Sequence, residues 1–450
     1  MNGIRTLLNV QDLEALQRRA AGTTSPVPAS GFERQPVHTV YGGAHLFRAD
    51  TAPKLGAIAL QLMRRYAPDP SEFARALGTD PADETAKIVH RRVHDKLTHQ
   101  PVEDYRIDFE DGYGERPDAE EDEHAARCAR ELARGIEQAT LPPFIGFRIK
   151  SFARRTRRRA LRTLDVFLST LAEATDGVAP PALVVALPKV SDRESVESFV
   201  ASIEMLEQRC GFDAGSVRIE LMIETTRAII GDDGNCPLPD LVRAAGGRCA
   251  AAHFGAYDYT AACEITAASQ RLHHEACVFA RQMMHAALAG TGVRLVDGAT
   301  NLLPVEPHRS HDPTALTETQ RRENEQAVHS AWRLGSDNIR RSLAGGFYQG
   351  WDLHPGQLPV RFAATYRFFL EGAAQASARL RQFIDRAAQA TRLGGVFDDA
   401  ATGQGLLNFF HRALDCGAIH QDQLDALGLS EREVRTKSFL EIIATRQRAT

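Results

Sequence analysis

The stretch Val217-Arg218-Ile219-Glu220-Leu221-Met222-Ile223-Glu224-Thr225 is apolar at most positions and then closes on a carboxylate, Glu224. A second stretch, Cys249-Ala250-Ala251-Ala252-His253-Phe254-Gly255-Ala256-Tyr257-Asp258, is small and apolar until Asp258. Near-continuous apolar runs of this length read as strands buried on both faces, the pattern of a parallel sheet covered by helices. Between them lie a Gly/Asp/Pro loop (231–239) and a short amphipathic helix, the content of one βα repeat. Neighbouring parallel strands end on one rim, so Glu224 and Asp258 are expected together. Such a pair suits a hard divalent cation, Mg²⁺ or alternatively Mn²⁺, which takes a few protein oxygens and leaves other positions to water and substrate. The simpler alternative is that each carboxylate caps the helix that follows it.

Outward from this centre the same alternation repeats. Strand candidates at 37–47, 105–114, 143–150, 183–190, 293–297 and 347–354 join the two central runs, with helical patterns at 52–66, 83–97, 120–139, 153–174, 193–208, 268–288 and 318–343. Eight strands alternating with helices, most ending in a polar or charged residue, predict an α/β fold of the (β/α)8 TIM-barrel type. The barrel is expected over 37–360, with insertions at about 68–103 and 304–345, the first of them a lid or interface element. Residues 1–36 read as an N-terminal arm and 361–450 as a C-terminal helical extension, broken most clearly at 398–405. Gly42 and Gly43, inside the first strand candidate, predict a close approach by a ligand or another backbone.

Composition narrows the function classes. Hydrophobic residues are 43% and charged residues 25% of the 450, which excludes a disordered chain and a membrane-embedded one. A formal net charge of −4 offers no global attraction to nucleic acid or anionic lipid, so neither is expected as a partner. No signal-peptide pattern or membrane span is evident, and a cytoplasmic homo-oligomer is the expectation. The seven cysteines include no C-x-x-C pair, which argues for reduced, structural thiols.

The strand ends supply Asp108, Glu110, Asp111, Arg148, Lys189, Glu224, Asp258 and His354. Acids, bases and cation-binding groups converging from several strands is how barrel enzymes assemble a site. Three carboxylates within 108–111 repel unless a cation or arginines neutralise them. The ordered motifs D-F-E-D-G, F-R-I-K, L-P-K-V, I-E-T-T-R-A-I, G-A-Y-D and D-L-H-P-G-Q, spread over about 37–370, resemble the citrate lyase β-subunit-like branch of the 2-oxo-acid aldolase/citrate lyase superfamily. The resemblance implies that Glu224 and Asp258 bind Mg²⁺ and that Arg148 stabilises an enolate or carbonyl oxyanion. It further implies that the amides of Gly255, Ala256 and Tyr257 hold a substrate carboxylate. Asp111 stands where aldolase-type members have a histidine base, which favours the citrate lyase and malyl-coenzyme A lyase side. Lys150 in place of the usual Asn, Tyr41-Gly42-Gly43 in place of a proline-glycine turn, and the length of the chain depart from the pattern.

The chemistry can be read without the family. Cleaving a C–C bond beside a hydroxyl needs a base for that hydroxyl and a cation for the enolate left behind. Asp111 or a metal-bound water is expected as base, Glu110 as the group that orients that water or a basic residue, Asp108 as a further catalytic carboxylate, and Lys189 and His354 as substrate contacts. The expectation is a Mg²⁺-dependent carbon–carbon lyase acting on a small 2-oxo acid, hydroxy acid or coenzyme A thioester. Alternatives are phosphoenolpyruvate-type enolate chemistry on the same barrel, or a non-catalytic metal-binding barrel. The run Arg154-Arg155-x-Arg157-Arg158-Arg159-x-x-Arg162 reads first as a salt-bridged face and second as a phosphate site. His273-His274 reads as helix surface rather than metal ligands.

Overall fold

The computed structural model describes residues 34–310, 315–392, 400–425 and 429–435, with single positions at 11, 439, 442 and 445. Eight parallel strands close into a barrel in sequence order. β1 (His38–Gly43) leads through α1 (Thr51–Tyr66), α2 (Pro70–Ala76) and α3 (Glu84–His99) to β2 (Asp104–Asp108). Then follow α4 (Asp118–Glu137), β3 (Phe144–Arg148), α5 (Arg157–Ala174), β4 (Leu183–Leu187), α6 (Arg193–Cys210) and β5 (Arg218–Ile223). Two short helices, α7 (Thr226–Ile229) and α8 (Leu238–Ala244), return the chain to β6 (Cys249–Phe254). α9 (Ala256–Ala262), α10 (Glu275–Leu288), β7 (Arg294–Ala299), α11 (Glu318–Ala344), β8 (Gln349–Asp352) and α12 (Leu358–Arg392) complete the barrel. Beyond it lie α13 (Ala400–Asp415), α14 (Gln421–Asp425) and α15 (Glu431–Arg435).

Helix faces bury against the strands as their spacing dictates. On α5, Ala160, Leu164, Phe167, Leu168 and Leu171 are all buried, and Phe167 stacks on Phe147 of β3 with ring centroids 4.0 Å apart. Burying each such ring stabilises by about 1.5–3 kcal/mol. Gly43 meets the predicted close approach, since a Cβ there would lie 2.3 Å from the carbonyl oxygen of Gly112. The neighbour is backbone, not a ligand.

The run 105–114 is a strand to Asp108 that then empties into the acidic, glycine-rich turn expected of it, because the Asp108 carboxylate accepts the amides of Glu110 (2.9 Å) and Gly112 (2.7 Å). Several elements differ from the sequence expectation. The helix expected from 268 begins at Glu275, where the His274 ring accepts the amide of Ala276 as an N-cap (3.2 Å). The excursion over 68–103 packs α2 and α3 against α1, α11 and α12, and among the described residues no hydrogen bond or ion pair joins it to the strand-end carboxylates. α12 runs through position 360 unbroken, and its Arg361 grips Asp352 of β8 (3.0 Å) while Phe362 packs on His38 of β1 (5.2 Å). Its first turns are therefore the barrel's eighth helix. Of the break expected at 398–405, residues 400–405 belong to α13 and 398–399 lie outside the described residues, as does most of the arm at 1–36. All seven cysteines are free, and among the described residues no helix is long and apolar enough to cross a membrane.

The barrel interior carries a charged layer. Arg106 of β2 is fully buried and bonds Glu220 of β5 through Nε (2.8 Å) and Nη2 (2.6 Å), with Asp104 on its other nitrogen. His253 of β6 places Nε2 3.3 Å from Glu220 and accepts the Trp351 indole N–H at Nδ1 (2.9 Å). Above this layer Tyr41, Met222, Ala251, Val296, Ala299 and Trp351 form a small apolar cluster, and the run of alanines in β6 leaves room for the two large rings.

Candidate active site

Strand register builds the site. Asp108 and Arg148 are direct partners at the ends of β2 and β3, so their side chains emerge side by side. Arg148 donates to Asp108 through Nε (2.7 Å) and Nη2 (2.5 Å), a bidentate pair that fixes the plane of the guanidinium. With the amides of Glu110 and Gly112 added, Asp108 accepts four hydrogen bonds and is almost wholly buried. Asp108, expected as a catalytic carboxylate, thus has its oxygens engaged by Arg148 and by the turn amides.

The remaining nitrogen of Arg148, Nη1, lies 3.2 Å from Glu110, 3.4 Å from Asp111 and 3.7 Å from the Met222 sulfur. The Tyr41 ring supports the guanidinium with its centroid 5.0 Å away. Lys189, just past β4, adopts a φ of +55°, a left-handed backbone that costs about 1–3 kcal/mol in a non-glycine residue. That conformation turns its N–H onto Glu224 Oε1 (2.7 Å), while its ammonium reaches Glu110, Asp111 (3.3 Å) and Asp258 (3.5 Å). The lysine pairs with three carboxylates, and against the downward push of burial Glu110, Glu224 and Asp111 hold its pKa above the usual lysine range. An ammonium so stabilised is a poor Schiff-base nucleophile.

Glu224 follows β5 and is 2% exposed. Burial and the nearby Asp258 push its pKa up to about 8. Register sets Ile223 beside Phe254, which brings Gly255 against Glu224, and a Cβ on Gly255 would lie 2.2 Å from Glu224 Oε2. Neither carboxylate caps a helix: Thr225 caps α7 through its hydroxyl, and Asp258 sits in the first turn of α9 behind Gly255. The Gly255 amide is spent on the Ile223 carbonyl (3.1 Å), so of the three amides expected to hold a carboxylate only those of Ala256 and Tyr257 remain as first-turn donors. The Tyr257 phenol instead ties the strand-end loop, donating to Ala299 O and accepting from the Asn301 amide, both at 3.1 Å.

Glu110 and Asp111 are pushed apart. Burial, with the hydrogen bond that protonated Glu110 donates to the Asp111 carboxylate and the charge of Asp111, raises Glu110 to about 7 against the pull of Arg148 and Lys189. For Asp111 burial acts upward, but the hydrogen bond with Glu110 and the charges of Arg148 and Lys189 outweigh it and lower the pKa. His354 joins none of this, since its ring accepts the Gly356 amide (3.1 Å) and caps the turn after β8. Lys150 anchors the loop by donating to Phe109 O (2.8 Å) and pairing with Glu121 (2.9 Å). The arginine run is a largely salt-bridged face, with Arg159 and Arg162 on Asp122 and Arg155 on Glu115. Among the described residues no group of three or more His, Cys, Asp or Glu stands ready as a complete metal cage. Sequence reasoning missed Tyr41, Met222 and Trp351, which alternate with other apolar residues and carry no signal beyond that of core.

Fold and rim together define a parallel (β/α)8 barrel whose polar cluster sits at the C-terminal ends of its strands. The chain belongs to the family described as Domain of unknown function (DUF6986), matched over residues 16–442. That is the family that matches, in place of the citrate lyase-type family the motifs resemble. No curated protein matches. Among solved structures the chain is similar to Haloferax volcanii malate synthase in several forms. With pyruvate and acetyl-CoA it is 14% identical, covering 73% of this chain and 69% of that one at a TM-score of 0.45. With magnesium and glyoxylate the values are 16%, 74%, 76% and 0.42. The native form at 3 mM glyoxylate gives 14%, 91%, 98% and 0.46.

Proposed function

We propose that this chain is a Mg²⁺-dependent enzyme that makes or breaks a carbon–carbon bond to a small 2-oxo acid, with a hydroxy acid or coenzyme A thioester as the other reactant. The observation that carries the reading is the Asp108–Arg148 clamp, which turns the third guanidinium nitrogen toward Glu110 (3.2 Å) and Asp111 (3.4 Å), the carboxylates that Lys189 links to Asp258 (3.5 Å). Glu224 and Asp258 fit a divalent cation by their donor chemistry and by their mutual repulsion, which leaves Glu224 strained toward its protonated form. Bound there, Mg²⁺ would act as a Lewis acid toward the oxygens of an oxo acid.

The protein's own residues supply the rest. Arg148 Nη1 donates to the oxygen on which negative charge grows as the bond breaks, and the clamp keeps it in place without reorganisation. Lys189 holds the carboxylates of the rim in one arrangement. Glu110, half-protonated near neutral pH, takes the hydroxyl proton in cleavage and returns it in condensation. Asp111 stays ionised and raises the basicity of its neighbour. The base role expected of Asp111 thus moves one residue back, following the rule that paired carboxylates with diverging environments divide acid and base work. A screen of oxo acids and acyl-coenzyme A esters with and without Mg²⁺ tests the reading. Mg²⁺-dependent turnover that collapses in Arg148→Lys supports it, and metal-independent turnover contradicts it.

A further inference from the structure

At the opposite, N-terminal end of the barrel, a cleft of about 510 Å³ separates α3 and α12 from the C-terminal helices α13 and α15. Its wall is basic. Glu103, which precedes β2 and is fully buried, is shared by Arg34 and by Lys96 (2.6 Å), so one carboxylate serves two cations. Among the described residues no ion pair joins Arg92 to a carboxylate, and its Nη1 donates to the carbonyls of Gly417 (3.4 Å) and Ala418 just past α13. Among the described residues Nε of Arg34 is buried with no hydrogen-bond partner. Two aspartates line the cleft as well. Asp415 lies against Arg435 (3.8 Å) and His411 (3.6 Å), and Asp95 is exposed at the edge.

Withdrawing cations from water without matching anions is costly, and the cost is recovered when an anion enters. Burial pushes the pKa of both Arg92 and Lys96 down, as expected of cations short of counter-charge. Planar guanidinium forks match paired anionic oxygens, and the Tyr366 phenol lines the same wall.

We propose that this cleft is a second binding site, for a small molecule carrying two or more adjacent phosphate or carboxylate groups, recognised by Arg34, Arg92 and Lys96. Because the cleft is closed on one side by the C-terminal helices, such a ligand ties those helices to the base of the barrel. The site is independent of the chemistry at the opposite rim.

Titration calorimetry on the full chain tests it, with inorganic pyrophosphate and citrate as separate probes of the phosphate and carboxylate sources. At least one probe should bind saturably at one site per chain. Arg92→Gln should weaken that binding by about tenfold or more, the usual weight of a charge-assisted hydrogen bond, and Arg148→Gln at the far rim should leave it unchanged. Since Arg92 also holds the end of α13, Arg92→Lys is measured beside it. That variant keeps the charge and should fold like the wild type yet bind the probe several-fold more weakly. Absence of saturable binding by both probes overturns the proposal. So does an affinity unchanged in both Arg92 variants, or one lost in Arg148→Gln.

Discussion

The barrel holds two buried clusters of charge a few residues apart along the same strands, and they are built on opposite principles. In the interior layer Arg106 faces Glu220 and Asp104 with a bond for nearly every donor, and Glu220 is held well below the usual carboxylate range: burial opposes this, but Arg106 and His253 prevail. At the rim, Glu224 and Glu110 are left with burial uncompensated and rise to about 8 and about 7. A closed cluster holds a fold in register. An open one stores unfavourable charge until a ligand or cation relieves it, which is what a site that binds and reacts requires.

The sharpest way to break this contrast is to remove one carboxylate from each cluster. Glu220→Ala leaves Arg106 buried without its main partner and should cost about 3–5 kcal/mol of stability, read from urea unfolding. Glu224→Gln should unfold at the same urea concentration as the wild type or a higher one, while abolishing Mg²⁺-dependent turnover. Equal destabilisation by both would erase the distinction.

Arg148→Lys comes next. A point charge cannot keep two bonds to Asp108 and aim a third nitrogen, so kcat should fall about 10²- to 10³-fold, the range for loss of an oxyanion donor. Mg²⁺ affinity should change little. Parallel losses of metal binding and turnover would make Arg148 structural.

Glu110→Gln should lower kcat by about 10²-fold or more, the scale for a positioned base. The wild-type rate should rise with pH through about 7, because the base must be ionised. Asp111→Asn removes the neighbour that raises Glu110, so the rising limb should move to lower pH with a smaller loss of kcat. A larger loss in Asp111→Asn than in Glu110→Gln would return the base role to Asp111.

The smallest effect is on stability against pH. The folded pKa of Glu224 lies above its ordinary value of 4.5, so between that value and about 8 the folded state holds a proton that the unfolded state has lost. Stability without metal should therefore fall as pH rises across this window, and Mg²⁺ protection against heat should grow over the same range. Glu220 has the opposite sign. Its lowered folded pKa gives stability that is present at neutral pH and lost as pH falls below the ordinary carboxylate range. A Glu224→Gln variant that keeps the upper slope would assign it to another group.

The central strands were legible because they are buried on both faces and read as mostly apolar runs closing on a carboxylate, as 217–225 and 249–258 do. The carboxylates, Arg148 and Lys189 were legible for the same reason: a charge that ends such a run has only the rim to go to. What local pattern could not carry was pairing across strands. Asp108 read as one of three acids in a glycine-rich turn until register set it beside Arg148. Tyr41 and Trp351 read as core, and only closure of the barrel, which brings β1 beside β8, sets Trp351 against the Tyr41 ring that supports the guanidinium.

The central claim is that Glu224 and Asp258 form an open carboxylate pair made for a divalent cation. Calorimetric titration of Mg²⁺ into the wild type, Glu224→Gln and Asp258→Asn tests it most directly. The account predicts one saturable site in the wild type and its loss or severe weakening in both variants, with each variant folded. Mg²⁺ binding of unchanged affinity in both variants, or none in the wild type, would contradict it.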